Sequence, residues 1–210
     1  MDGIERIELA GRTCYKSEDK ITDGSAQSFA RMLIKRGHEA MLEHASATVK
    51  FITNRGVTHE LVRHRVASFG QESTRFVNYG GDDIAFIRPV WCSESVVGIY
   101  GEGDFWPGED EATDEFVRSC LSAETFYKAM LGYGWQPQQA REVLPNSLKT
   151  EIVVTANFRE WRHIFKLRAV GVTGKPHPQM QALMLPVLRE FAERCPAVFG
   201  DIYDMLPERV

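Results

Sequence analysis

The chain has 210 residues, 43% of them hydrophobic and 26% charged, with a formal net charge of −4. That length predicts one domain, and that composition predicts a globular protein with a sizeable core. The acidic balance argues against a general nucleic-acid binder, so a local basic cluster reads as a focused site for a small anion.

Four cysteines, Cys14, Cys92, Cys120 and Cys195, are scattered with no C-x-x-C pair. That is the pattern of reduced thiols, and it carries no zinc signature. There is no basic-then-apolar leader, and no apolar run nears the ~20 residues of a membrane span. The expectation is a cytoplasmic protein without a membrane partner.

The first predicted helix is Ser25 to Arg36, with Asp23 as cap, Phe29, Met32 and Leu33 inward, and Gly37 as its stop. Ala45 to Thr53 reads as a strand, because Ala47, Val49 and Phe51 alternate with Thr48 and Lys50. Asn54 to about Arg65 reads as a helix with Val57, Leu61 and Val62 as its stripe. Val66 to Tyr79 reads as extended and irregular, with a turn at Gly70. Residues 80–109 are rich in Gly, Asp, Glu and Trp. They predict a short strand near Ile84–Ile87 and a long, mobile surface excursion. Glu111 to Leu131 is a predicted helix with Phe116, Cys120, Phe126 and Tyr127 inward and Gly132 and Gly134 at its end. Pro137 starts a short helix that halts before Pro145. Leu148 to Ala156 is a strand and Phe158 to Ala169 a helix. Pro178 to Arg194 is a helix that Pro186 should kink or break. The sum is an α+β chain, one domain over 1–210, with long helices around a small, mainly antiparallel sheet.

The densest run of hydrogen-bonding groups is RHRVASFGQESTRF, Arg63 to Phe76. Guanidinium forks, hydroxyls and backbone N–H groups suit phosphate oxygens, so this run predicts an anion site. On a helix, Arg63 and Arg65 would lie roughly 200° apart, and one small ligand could not use both from one face. By the same arithmetic Arg168 lies about half a turn from Arg159, whereas Arg159 and His163 share a face. In FREWRHIFKLR the core stripe is Phe158, Trp161 and Phe165, and the polar side carries Arg159, Arg162, His163 and Lys166. His38 and His44, six apart, and His59 and His64, five apart, are poorly spaced to share a metal. Ser73 lacks a G-x-S-x-G elbow and reads as a donor to an anion. No dinucleotide fingerprint follows a strand and opens a helix.

Several segments taken together resemble the flavin-dependent thymidylate synthases. AGRTCYKS at Ala10–Ser17 and GHEAMLEH at Gly37–His44 are similar to family segments. HELVRHRVASFGQESTRF matches the signature Arg-His-Arg-x7-Ser, and PQQAREVLP and LKTEIVVTANFREWRHIFKLR follow in order. The resemblance implies a homotetramer of mixed α/β subunits with active sites between chains. It implies FAD as cofactor, with NADPH and methylenetetrahydrofolate as co-substrates and dUMP as the acceptor. By position it implies flavin contacts at His38, Ala40, Arg63, His64, Arg65, Gln71, Asn157, Phe158, Arg159 and His163. The dUMP site would comprise Glu60, Arg63, Gln71, Glu72, Ser73, Thr74, Arg75, Arg141 and Arg168. Ser73, Arg75 and Arg141 would hold the phosphate, and Arg168 would activate the uracil ring.

Three positions depart from the family pattern. Ala40 replaces a hydroxyl residue, so its contact can only be backbone. His163 replaces an asparagine. Val170–His177 is longer than usual. Two rival readings stand on the residues alone. One is a related flavin enzyme acting on another pyrimidine nucleotide, with Glu60, Gln71 and Arg168 deciding. The other is a nucleic-acid-binding module using the Arg63–Arg65 cluster.

Overall fold

The computed structural model describes residues 2–81, 83–92, 97–99 and 111–207. Most of the predicted excursion, at 93–96 and 100–110, lies outside the described residues. The helices are α1 (Gly3–Tyr15), α2 (Ser25–Lys35), α3 (Arg55–Leu61), α4 (Glu111–Gly132), α5 (Pro137–Ala140), α6 (Phe158–Phe165), α7 (Pro178–Arg194) and α8 (Pro196–Tyr203). The strands are β1 (Ser46–Asn54), β2 (Ala67–Gln71), β3 (Ala85–Ile87), β4 (Val97–Ile99) and β5 (Lys149–Asn157). A three-stranded sheet has the order β1-β5-β2. β3 and β4 form an antiparallel pair with Phe86 opposite Gly98. The class is the expected α+β.

The chain divides into two compact units. Unit 1 comprises Met1–Val49, His64–Ser68 and Val154–Val210; unit 2 comprises Lys50–Arg63 and Phe69–Val153. In unit 1 the core is aromatic. Trp161 stacks on Phe165 with centroids 5.5 Å apart, and Phe191 meets Phe165 at 5.2 Å and Phe199 at 5.0 Å. Such offset and edge contacts add to the area these rings bury. Helices α1 and α2 approach closely because Gly11 has no side chain; a Cβ there would lie 2.5 Å from the Phe29 ring. In unit 2 the core is Ile84, Phe86, Val117, Cys120, Tyr127, Ala140 and Leu148.

Local chemistry explains where the elements differ from expectation. Gly24, at φ 77°, precedes α2 and no side chain caps it, so Asp23 is not its cap. Gly37 ends α2 at φ 71°, as predicted. Helix α3 is capped by Asn54, whose side chain accepts from the Val57 N–H, and stops at Leu61. Arg63, His64 and Arg65 therefore lie beyond the helix. Gly70 makes no turn; it sits within β2. Phe126 is 59% exposed, because Val117, Cys120, Ala123 and Tyr127 form the buried stripe of α4. Pro186 does not break α7, which runs unbroken through it.

Candidate functional site

Unit 1 builds its site from the start of α6. The Asn157 side chain accepts the Glu160 N–H at 2.8 Å, satisfying one of the orphan donors of the first turn. Trp161, fully buried, donates from Nε1 to the Ala47 carbonyl at 3.0 Å and fixes the helix in rotation. That rotation exposes Arg159 and His163. Arg159 pairs with Glu43 at 2.6 Å. Phe158 is half-buried against Phe199, and its N–H donates to the Ala45 carbonyl at 2.8 Å.

The end of α6 departs from the predicted helix. Lys166–Val170 forms a π-helical turn, closed by Gly171 in the left-handed region at φ 83°. A π turn shifts the angular phase of everything after it, and such turns recur at functional sites. The phase arithmetic that placed Arg168 opposite Arg159 assumes a continuous α-helix and does not hold. Arg168 instead donates from Nε to His64 Nε2 at 3.1 Å. His64 is 5% exposed, its Nδ1 lies 3.6 Å from Glu160 Oε1, and its ring meets His163 edge-on at 5.9 Å. The fold thus gathers His64, Glu160, His163 and Arg168. Burial raises the Glu160 carboxyl above its usual range, and the nearby His163 opposes this.

Arg162 does not belong to the polar face to which the helical pattern assigns it. It is 2% exposed and directs a bidentate fork at Asp201, with both contacts at 2.7 Å. Its Nη1 also donates to the Val198 carbonyl. Beside it opens a cleft of about 430 Å³, lined by Glu39, Glu43, Val66, Asn157, Arg159, Glu160, Arg162, His163 and Lys166. His38 and Ala40 lie at the start of an exposed 3₁₀ turn, Glu39–His44, from which Glu39 and Glu43 reach that cleft. Arg65 is exposed. A larger groove in unit 1, about 830 Å³ between α2, α7 and α8, contains none of the sequence-predicted residues.

Unit 2 holds Glu60, Arg63, Gln71, Glu72, Ser73, Thr74, Arg75 and Arg141. The segment after β2 turns at Ser73, whose carbonyl accepts from the Phe76 and Val77 N–H groups at 3.1 and 3.0 Å. That turn meets the Pro137–Val143 segment through two guanidiniums. Arg75 Nε donates to Gln138 Oε1 at 3.1 Å, and Arg141 Nη1 donates to Thr74 Oγ1 at 3.4 Å. Arg75 also lies over the Phe76 ring at 5.2 Å. Gln71 is held by its amide, which donates to the Thr58 and Thr150 hydroxyls at 3.0 and 3.3 Å. Arg63 is exposed just after α3, and Glu60 lies on that helix.

Glu72 has a visible internal task. Its Oε1 accepts from the Tyr79 hydroxyl at 2.7 Å, and Lys149 stands 3.7 Å from its Oε2. Burial first, then the bond to Glu72, pushes the Tyr79 phenol well up, so it is a proton donor at any ordinary pH. This strut closes the loop that carries Ser73 and Arg75.

The sequence reading misses Glu160, the Arg162–Asp201 pair, and the Tyr79–Glu72 strut. Glu160 carries a misleading signal: Asn157 followed three residues later by Glu is a helix-start pattern. Arg162 and Asp201 are 39 residues apart, and no local pattern links them.

Residues 1–197 match the family described as "Thymidylate synthase complementing protein". The chain is 35% identical over 207 residues to a flavin-dependent thymidylate synthase of Mycobacteroides abscessus, covering 95% of this chain and 79% of that protein. It is 36% identical over 209 residues to one from Corynebacterium glutamicum, covering 96% and 80%. Its fold is similar to a crystal structure of a UMP/dUMP methylase, PolB, from Streptomyces cacaoi bound with 5-Br dUMP. There the TM-score is 0.73 at 23% identity, over 95% of this chain and 89% of that one. On the family match and these identities, the chain belongs to the flavin-dependent thymidylate synthases.

Proposed function

We propose that the chain carries out the family's reaction, the reductive methylation of dUMP to dTMP. Methylenetetrahydrofolate would be the carbon donor, NADPH the reductant and FAD the cofactor. The observation that carries this reading is the pair of guanidiniums at the Ser73 turn. Arg75 on the turn and Arg141 facing it hydrogen-bond to neutral groups, and the Glu142 carboxylate, exposed and 3.6 Å from Arg141, competes little, which leaves both charges for a phosphate.

The residues of unit 1 suit FAD. The 430 Å³ cleft is lined by the donors Arg159, His163 and Lys166 alongside Glu39, Glu43 and Glu160, so a bound diphosphate would take Arg159 over from its exposed partner Glu43. His38, Arg63, His64, Arg65, Gln71, Asn157, Phe158, Arg159 and His163 would hold it, with Ala40 contributing only backbone. When bound and reduced by NADPH, FAD supplies the hydride. Glu60, Arg63, Gln71, Glu72, Ser73, Thr74, Arg75, Arg141 and Arg168 would hold dUMP, Glu72 acting through its bond to Tyr79.

Arg168 is proposed as the catalytic residue. A permanent positive charge beside the uracil imide favours its anion and raises electron density at the carbon to be methylated. No protein thiolate is needed. Burial raises the Cys120 thiol, and burial with the nearby Asp2 raises Cys195 to about 11, so both stay protonated at neutral pH.

The functional domain would be the whole chain, 1–210, and the assembly a homotetramer with sites shared between chains. The tetramer rests on family membership alone, because the helix-phase argument for shared sites does not survive the break after Leu61 or the π turn. The purified protein should be yellow, bleach with NADPH, and turn dUMP into dTMP when folate is supplied. A colourless protein that FAD cannot reconstitute would sink the proposal. Light scattering should give a tetramer, and mixtures of separately inactive variants should regain activity; a fully active monomer refutes the assembly.

A further inference from the structure

We infer that Glu160 is a positioning residue: it fixes the tautomer of His64, and through His64 it holds the guanidinium of Arg168. Its role in the reaction rests on the proposed function of Arg168.

The argument begins with donors and acceptors. Arg168 Nε carries a hydrogen and can only donate. His64 Nε2, 3.1 Å away, must accept, so it bears no proton. A neutral imidazole then carries its one proton on Nδ1. A doubly protonated ring would set two N–H groups face to face. The nitrogen that must carry the proton is the one that faces a carboxylate: His64 Nδ1 lies 3.6 Å from Glu160 Oε1. Which nitrogen of an imidazole is protonated is set by the partner of the other. Glu160⁻, neutral His64 and Arg168⁺ thus form an ordered series in which the bond from Arg168 requires this tautomer and the nearby Glu160 carboxylate favours it electrostatically.

The series is held in place from both ends. The backbone that carries Glu160 is fixed, because its N–H donates to the Asn157 side chain and the next residue, Trp161, anchors the helix to Ala47. The side chains of His64 and Glu160 are 5% and 12% exposed, so water competes little for their ring and carboxyl atoms. His163 closes the remaining flank edge-on at 5.9 Å. A carboxylate in the first turn often serves only the helix dipole. Here its Oε1 also lies 3.6 Å from His64 Nδ1, which an acid serving the dipole alone has no reason to do.

The test uses the purified full chain with ¹⁵N-labelled histidine, the His64 signals being assigned by their loss in His64→Gln. At neutral pH the wild type should show a protonated Nδ1 and a bare Nε2. In Glu160→Ala a substantial fraction of the proton should move to Nε2. Glu160→Gln, whose amide oxygen still accepts, should keep the wild-type tautomer. Turnover in Glu160→Ala should fall about tenfold, the lower end of the loss when an imidazole's outer partner is removed. Its KM for dUMP should stay within about twofold, and Glu160→Gln should recover most of the rate. A wild-type His64 protonated on Nε2, or a tautomer unchanged in Glu160→Ala, overturns the inference. A shifted tautomer with unchanged turnover overturns the role in the reaction. If Glu160→Ala does not fold, the wild-type tautomer and Glu160→Gln decide the question. A wild type with the expected tautomer and bound FAD that methylates no dUMP overturns the functional reading, and with it any part in catalysis, while the His64 tautomer clamp stands.

Discussion

In unit 1 the buried guanidinium of Arg162 faces the carboxylates of Asp201 and Glu39, whereas Arg159 meets Glu43 in an exposed pair that water screens. At the Ser73 turn of unit 2, Arg75 and Arg141 hydrogen-bond to an amide and a hydroxyl, and the Glu142 carboxylate, 3.6 Å from Arg141, is exposed. A cation paired with a carboxylate is largely neutralised and serves to hold structure. A cation paired with a neutral dipole keeps its charge for a ligand. Arg168 lies in unit 1 and donates from Nε to His64 Nε2.

The comparison breaks first at Asp201. Asp201→Ala leaves the 2%-exposed Arg162 without its bidentate partner, and should cost about 3 kcal/mol in urea unfolding. Burial alone would raise the Asp201 carboxyl, but the Arg162 fork outweighs it and holds the group below its usual range. A depressed folded value stabilises above the ordinary carboxylate range and loses that contribution as pH falls through the folded value. Asp201→Asn should therefore flatten the loss of stability below about pH 4. An unchanged acid limb would show that the pair is not neutralising.

Next is Arg168→Lys, which keeps the charge but loses the planar fork and the Nε contact to His64. Turnover should fall about a hundredfold, equivalent to roughly 3 kcal/mol. KM for dUMP should change little, and NADPH should still bleach the flavin. If turnover survives, or if flavin reduction is lost as strongly, ring activation belongs elsewhere, with Glu60 or Gln71 next.

Arg75→Ala and Arg141→Ala should each weaken dUMP by about 1.5–3 kcal/mol and deoxyuridine far less. Titration calorimetry with nucleotide and nucleoside reads this difference directly. Equal losses would mean that these two are structural after all, and the contrast between the units would collapse.

The smallest effect belongs to Tyr79→Phe. It removes the hydrogen bond to the Glu72 carboxylate, and should lower stability by about 1.5 kcal/mol. KM for dUMP should rise with it, because the loop carrying Ser73 and Arg75 loses its strut. A destabilised variant with unaltered KM would separate the strut from the phosphate turn.

Much of the fold was legible in the sequence because the signals are local. The alternation of Ala47, Val49 and Phe51 predicts β1, and Gly37 predicts the end of α2. Helix α8 and the end of α3 were not legible. The apolar pattern continues past Leu61, and nothing local shows that the helix stops there. The run of hydrogen-bonding groups around Ser73 was legible, but its turn was expected at Gly70 and lies at Ser73, and the Tyr79–Glu72 strut was not legible, since no short motif encodes it.

By itself, then, the sequence determined the α+β class, the family, and the cations that a proposed site can draw on. Those follow from composition, period and motif, which are properties of neighbouring residues. Only the tertiary structure decided which cation does what. It buried Arg162 against Asp201, turned Arg168 onto His64 through one π turn, and set Glu160 on the far side of that ring. The physical reason is that a charge's role depends on the partner it meets in space. Those partners lie 39 and 104 residues away for Arg162 and Arg168, beyond the reach of any local pattern.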